Sequence, residues 1–270
     1  MKKIINLSLS NLIILYYSIF RLLSHRKSSA KDFTILVVSM DRPFALRSFL
    51  LSVERHFLDA PKIVAIIRYS DGNQFKRYEK LRRELSGVLQ VEFCYEQVGF
   101  KHSLSTVLRN LEIARVMLCV DDQVFFRNAA YADITTAGQK VDFFTLRFGK
   151  DTTYSYNLDV QMKQPFHDEA GVEYLEWPCR VLKDDFHYPL SFDTTIMDLF
   201  LLKLMSNLLL FNSPNQFESY MNYGIYTAAL CRLKIGCPKK QIAVNFVLNK
   251  VQEDNDNKSL GISGSQLNQY

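Results

Sequence analysis

Two adjacent carboxylates, Asp121 and Asp122, follow directly on the apolar run Val116-Met117-Leu118-Cys119-Val120. Neighbouring carboxylates repel, and either one is costly to bury unpaired. A hard divalent cation with oxygen ligands would relieve both. Alternatively the pair only ends a strand and caps the following turn, and these residues alone do not decide between the two. An uninterrupted apolar run of this length suits a strand covered on both faces. The space beyond the carboxyl end of such a strand is where open α/β sheets bind their ligands.

Three earlier strand ends carry similar chemistry. Phe33 to Ser39 reads as a buried strand, followed by the turn Asp41-Arg42-Pro43. Pro43 is suited to the first position of a helix, and Phe44, Leu46, Phe49, Leu50, Val53 and Phe57 then recur at helical spacing. Ile63 to Ile67 is a second strand, ended by Arg68-Tyr69-Ser70-Asp71-Gly72. A polar helix from about residue 75 to 85, a third strand over Val91 to Tyr95 ending in Glu96 and Gln97, and a helix over Ser103 to Ile113 lead to the strand before Asp121. Alternation of this kind predicts a largely parallel sheet with helices on both faces, its polar strand ends gathered along one edge. The chain has no Gly-x-Gly-x-x-Gly and no Walker-type Gly-Lys-Ser/Thr, which argues against a dinucleotide fold or a P-loop.

The second half is less regular. Val141 to Arg147 reads as a strand, Asp151 to Asn157 as a polar and aromatic loop able to face a sugar, and Val172 to Trp177 as a short strand. The loop Asp184 to Asp193 leads into an apolar stretch that predicts a helix over Thr195 to Leu210, for which Asp193 would serve as N-cap. Ser213 and Pro214 read as the cap and first position of another helix, and Ile242 to Leu248 as a last strand. His187 reads as a packed loop histidine, while Trp177 and Tyr156 could stack on an acceptor sugar or pack in the core.

At the N-terminus, residues 4–20 carry no charge and are flanked by Lys2, Lys3, Arg21, His25, Arg26 and Lys27. At 100° per residue Asn6, Ser10, Asn11, Ser18 and Arg21 fall on one side of a helix. Three readings compete. The helix could lie in a membrane interface, could span at the lower limit of about 17 residues, or could dock on its own domain.

The 270 residues, 48% hydrophobic and 23% charged, suit one large α/β domain or two small ones. The net charge of +5 is scattered, unlike a nucleic-acid stripe, and suits an anionic ligand or membrane surface. Cys94, Cys119, Cys179, Cys231 and Cys237 form no C-x-x-C pair and read as thiols of a reducing compartment.

Taken in order, these segments resemble a known family. Thr34 to Ser39 with Asp41-Arg42-Pro43 resembles the opening strand and turn of the nucleotide-sugar glycosyltransferases with the GT-A fold, in a family-2-like bacterial branch. Tyr69-Ser70-Asp71-Gly72 resembles their second strand end, and Val120-Asp121-Asp122 their Asp-x-Asp site. Residues 188–193, 212–215 and 244–252 are similar to later motifs of that branch. The resemblance implies an α/β GT-A fold, a mostly parallel mixed sheet flanked by helices, with an N-terminal amphipathic helix in addition. It divides the chain into a membrane-associating helix and linker (1–30), a catalytic domain (31–252, its nucleotide-binding half 31–127 and acceptor half 128–252) and a polar tail (253–270). It implies transfer of a sugar from a nucleotide-sugar donor to a saccharide or lipid-linked acceptor in surface glycan synthesis, at the inner face of the membrane. Asp121 and Asp122 would hold Mn2+ or Mg2+. Arg42, Asp71 and Asp121 would hold the nucleotide, and Asp193, with Asp185 second, would act as general base. Two positions depart from the pattern: Gln123 stands at the third position of the acidic site, and Thr194-Thr195 stands where Gly-His is expected. A binding protein that lacks turnover therefore remains an alternative. A nucleotidyltransferase would want a Gly-rich basic loop after the first strand, which Asp41-Arg42-Pro43 does not supply.

Overall fold

A computed structural model describes residues 2–23, 33–155, 158–165, 174–180 and 184–246. Tyr156, the linker at 28–31, residues 247–252 and the polar tail lie outside the described residues.

The first half alternates as the apolar runs require. Strand β1 (Phe33–Met40) is followed by helix α2 (Pro43–His56), with Pro43 in its first turn. Strand β2 (Ile63–Arg68) leads to α3 (Gly72–Glu84), β3 (Val91–Tyr95) to α4 (Phe100–Asn110), and then comes β4 (Arg115–Val120). These four strands pair in parallel, with Leu36 opposite Leu118, Val38 opposite Ile66 and Ile67 opposite Tyr95. The chain continues through β5 (Gln123–Phe125), α5 (Tyr131–Gly138), β6 (Phe143–Thr145), β7 (Tyr174–Pro178) and β8 (Thr195–Asp198). Helices α6 (Leu199–Leu208), α7 (Pro214–Asn222) and α8 (Ile225–Leu230) precede β9 (Lys234–Pro238) and β10 (Ala243–Asn245). The central sheet has eight strands in the order β7-β9-β6-β8-β4-β1-β2-β3.

Successive residues of the strands feed two cores, one on each face of the sheet. Ile35, Val37, Ala65, Ile67, Met117 and Cys119 pack under α2 and α3. Leu36, Val64, Ile66 and Leu118 pack under α4 and α6. The strands are thus covered on both sides, which is why they read as continuous apolar runs.

The predicted helix over Thr195 to Leu210 is corrected. Thr195–Asp198 is a strand, inserted antiparallel between β4 and β6, with Thr195 opposite Leu118 on one side and Thr145 on the other. The helix begins only at Leu199, and its cap is Asp198, which accepts from the Phe200 amide at 2.7 Å. Asp193 is therefore not a helix cap. The predicted last strand is present as β10, but it pairs with β5 in a separate two-stranded ribbon.

Helix α1 (Lys2–Leu23) docks on the domain by its polar stripe. Asn6 Nδ2 donates to Leu210 O at 3.1 Å and Asn6 Oδ1 accepts from the Leu210 amide at 2.8 Å. Ser10 Oγ donates to Met221 O at 3.1 Å, and Thr227 Oγ1 donates to Asn11 Oδ1 at 2.6 Å. Arg21 pairs with the buried Asp142. The backbones come close: a Cβ on Gly224 would stand 2.7 Å from Ile14 Cγ1 and 3.2 Å from Ser10 O. Most of the apolar side chains face outward instead, among them Ile4, Leu7, Leu12, Leu15, Tyr16, Ile19 and Leu22.

Candidate functional site

The order β4-β1-β2-β3 brings the four polar strand ends into one row. Direct bonds join neighbouring ends. Asp41, held at φ 53°, accepts from the Ser70 amide at 2.8 Å, tying the first turn to the second. Arg42 reaches the other way. Its Nε donates to Asp121 Oδ2 at 3.2 Å, its Nη2 to Asp121 Oδ1, and its Nη1 to Asp122 Oδ2 at 3.0 Å. Ser39 Oγ donates to Asp121 Oδ2 at 2.6 Å and lies 2.7 Å from the Tyr78 hydroxyl, which accepts from the Arg42 amide at 2.9 Å.

This network lies largely out of water. Asp121 is 1% exposed, and burial pushes its carboxyl up to about 6 even with Arg42 against it. Burial likewise raises Asp122. For Arg42 burial acts downward, but the two carboxylates outweigh it and hold the guanidinium above its ordinary value. The carboxylate pair is thus neutralised in part by a side chain of the chain itself.

The donor set does not fit a divalent cation as it stands. The guanidinium lies between the two carboxylates, and Asp121 already accepts from three donors. Among the described residues no group of three His, Cys, Asp or Glu side chains is placed to hold a metal. Gln123, at the third position of the acidic motif, is turned away and buried. Its Nε2 bonds Phe192 O at 3.1 Å, Asn245 Oδ1 at 3.1 Å and Asp193 Oδ1 at 3.3 Å. It works as a staple between the fourth strand end and the second half of the chain.

That staple connects to a second cluster. Asp193 Oδ2 pairs with Arg147 Nη1 at 2.6 Å, and Asp193 Oδ1 accepts from Asn245 Nδ2 at 2.6 Å. Arg147 Nη2 also donates to the backbone oxygens of Asp185 and Tyr188 at 3.1 and 3.0 Å. The Asp185 carboxylate takes a bond from Ser155 Oγ. Glu218, on α7, accepts from the Phe192 amide at 2.8 Å and bonds the Tyr188 hydroxyl. Burial and the nearby Asp193 push the Glu218 carboxyl up to about 7.

Of the sequence-predicted residues, Arg42, Asp121 and Asp122 are in direct contact, and Asp193 joins them through Gln123. Asp185 joins Asp193 through Arg147. Asp71 sits at the neighbouring strand end, where its carboxylate caps α3 by accepting from the Asn73 and Gln74 amides at 2.7 and 2.9 Å. Trp177 belongs to the core: it is 2% exposed, packs with Phe148 and Phe186, and donates to Phe186 O at 3.0 Å. His187 is packed beside Asp184, its Nδ1 at 2.7 Å from Oδ1. Where the resemblance expects Gly-His, Thr194 holds the left-handed φ of 55° that glycine adopts most easily, and Thr195 is buried in β8. Ser39 was legible only as a polar strand end, and sequence reasoning missed the roles of Arg147, Asn245, Glu218 and Tyr78. Arg147 carried a signal as a charged residue at a predicted strand end, and Asn245 as part of the motif at 244–252.

No family model and no curated protein sequence matches the chain. Solved structures do match. TarS of S. aureus superposes with a TM-score of 0.53 at 14% identity, over 80% of this chain and 37% of that one. TarS residues 1–349 in complex with UDP-GlcNAc give 0.50 at 14%, over 78% and 57%. GalNAc-T7 with UDP, GalNAc and Mn2+ gives 0.51 at 11%, over 79% and 43%. The chain spans less than two thirds of the length of each of these proteins. At such identities the likeness establishes the fold, which is the α/β glycosyltransferase fold that the sequence resemblance implied.

Proposed function

We propose that the chain transfers a sugar from a nucleotide-diphosphate donor to a saccharide or lipid-linked acceptor in surface glycan synthesis. The observation that carries this reading is the clamp of Arg42 on Asp121 and Asp122. It joins the turn after the first strand to the acidic pair after the fourth, beside the second turn that Asp41 ties in. One nucleotide diphosphate could bridge the three. The structural neighbours, two of them solved with UDP or UDP-GlcNAc, support the same class of donor.

In this reading Asp71 and Arg42 hold the base and phosphates, and Asp121 the ribose. Asp193 takes the proton of the acceptor hydroxyl, with Asp185 as the second candidate. Asn245 and Gln123 hold Asp193 Oδ1 and Arg147 holds Oδ2, which keeps room for a further bond. Mn2+ or Mg2+ was expected at Asp121 and Asp122, but the guanidinium occupies that place, so no step is assigned to a metal. The same clamp favours a second reading, a binding protein of this fold that lacks turnover. Calorimetry and product analysis with UDP- and GDP-sugars, with and without Mn2+, separate the two. Donor hydrolysis or transfer that Asp122→Ala abolishes supports the transferase. Binding without turnover supports the second reading, and no binding of any donor removes both.

The place of action in this reading is the inner membrane surface, which the outward apolar face of α1 supports. Leu12 is 62% exposed and Leu22 76%, on a face with no charge between Lys3 and Arg21. Exposed apolar surface of this extent marks an interaction site. Lys2 and Lys3 at the helix start suit anionic headgroups, and a helix lying in the interface matches the pattern. The hydrogen-bonded polar stripe argues against a spanning helix, because spanning would break every bond of the seam.

A further inference from the structure

A cluster of basic side chains lies apart from the acidic strand ends. Lys101, His102, Ser105 and Arg109 recur at spacings of three and four along α4, so they share one face of that helix. With Asn207 and Asn212 across from them, they line an open cavity of about 590 Å³. That volume suits a small-molecule site. Phe211 forms part of the wall, with Lys101 Nζ 5.6 Å from its ring centroid. None of the lining residues is a carboxylate.

The basic groups have no counter-ion among the described residues. Lys101 Nζ donates to Leu209 O at 2.7 Å and to Asn207 O at 3.3 Å, both neutral acceptors. The side chains of His102 and Arg109 are exposed and make no hydrogen bond or ion pair with any described residue. Burial and the nearby Lys2 both push Lys101 below its ordinary value. Like charges gathered round one cavity raise its potential and draw anions into it.

A phosphate matches these donors. Lys101 and Arg109 supply two positive charges, and a terminal phosphomonoester carries about −1.5 to −2 near neutral pH, so the charges balance. The fork of Arg109, the ammonium of Lys101 and the neutral donors of Ser105, Asn207 and Asn212 suit its several oxygens. A membrane lipid is the carrier that the position suits. Asn6 of α1 is bonded both ways to Leu210, the residue before Phe211. The start of α1 therefore stands beside the cavity, and Lys2 is close enough to act on Lys101. Ile4 and Leu7, in the same turns, belong to the outward apolar face. A lipid whose chains meet that face could place its headgroup in the cavity.

We infer that the cavity between α4 and the end of α6 binds the terminal phosphate of a membrane lipid, held by Lys101, His102 and Arg109. The lipid source rests on the membrane reading above; the phosphate site does not.

Titration of the full chain with dihexanoyl phosphatidic acid, short enough to stay monomeric, tests the site without a membrane. Calorimetry is expected to show saturable one-to-one binding. His102→Gln with Arg109→Gln should weaken it at least about tenfold, and Arg109→Gln alone serves if the pair folds poorly. Lys76→Gln with Arg77→Gln removes at least as much charge from the exposed side of α3, on the other face of the sheet. That control should leave the affinity within about twofold. Wild-type protein that does not bind this lipid overturns the inference. A cavity variant that binds as wild type does, or an equal loss in the α3 control, overturns it too. Glycerol 3-phosphate bound as tightly as the lipid assigns the cavity to a soluble phosphate and overturns the lipid source. In flotation, wild type should prefer phosphatidic-acid vesicles to phosphatidylserine vesicles of equal surface charge, and the cavity variant should lose that preference. A preference absent from wild type, or kept by the variant, also overturns the lipid source. If no form floats while the short-chain lipid still binds through Arg109, the membrane reading falls and the phosphate site stands.

Discussion

Arg147 Nη1 stands 2.6 Å from Asp193 Oδ2, and both side chains are largely buried, at 14% and 18% exposure. The same guanidinium holds the backbone oxygens of Asp185 and Tyr188. One arginine therefore holds the Asp193 carboxylate and the backbone of Asp185, the two residues proposed to serve as base. The surroundings of Asp193 also differ from those of Glu218, whose carboxyl is driven toward its neutral form by burial and by the nearby Asp193.

If Asp193 takes the acceptor proton, Asp193→Asn removes the base and leaves most of the local bonding in place. Turnover is expected to fall by about 10²–10⁴-fold, with UDP affinity by calorimetry unchanged. Asp185→Asn should have a much smaller effect. A variant at Asp193 with wild-type turnover would transfer the role elsewhere, and Glu218 would be the next residue to replace.

Asp71 has two separable duties, one observed and one proposed. As cap of α3 it accepts two backbone amides, so Asp71→Ala should cost about 1 kcal/mol of stability. Asp71→Ser restores a cap and should recover that stability. It should not recover nucleotide affinity if the carboxylate also contacts the base. Recovery of both in the serine variant would reduce Asp71 to a helix cap.

Glu218 makes stability depend on pH in a defined direction. Its carboxyl is raised from the ordinary 4.5 to about 7, so the folded state holds a proton that the unfolded chain releases. Between those values folding takes up protons, and stability falls as pH rises from about 4.5 to 7, then levels off. The size of this contribution is on the order of 1–3 kcal/mol. Denaturant midpoints across the window should show the slope, and Glu218→Gln should flatten its share of it.

The outward leucines of α1 should govern lipid binding. Burying a leucine side chain is worth about 2 kcal/mol, so Leu12→Glu with Leu15→Glu should lower partition into anionic vesicles by about 10²-fold or more. Flotation with phosphatidylserine-containing and purely zwitterionic vesicles reads this directly. Equal flotation of the double variant would mean that the face meets another partner. Gly224→Ala, which would press a Cβ against Ile14, should loosen the helix from the domain without removing its affinity for lipid.

The first half of the sheet was readable because its strands are buried on both faces and its helices keep a clear period. Every strand from β1 to β4 lies where its apolar run does. The strand at Thr195 was hidden because Thr-Ile-Met-Asp abuts ten helical residues of similar apolarity, and only pairing with Leu118 and Thr145 decides its state. Asp121 and Asp122 were legible as a pair, but not the residue that compensates them. Arg42 precedes Asp121 by 79 positions, and no local pattern records their contact. For α1 the polar stripe was visible and its destination was not, since water, headgroups and carbonyl oxygens all attract asparagine and serine. At Thr194 the backbone takes a glycine-like path that the residue type conceals.

The seam between α1 and the three helices it covers also bears on how the protein can be handled. Trimming the first 23 residues to improve solubility would strip Asn6 from the backbone of Leu210 and Ser10 from the Met221 carbonyl, and would bare the surface that Ile13, Ile14 and Tyr17 now seal. The shortened chain would exchange one greasy surface for another that also carries orphaned polar groups. Detergent micelles or lipid discs that cover the outward leucines are therefore the better medium for purification, and the intact N-terminus is part of the folded unit.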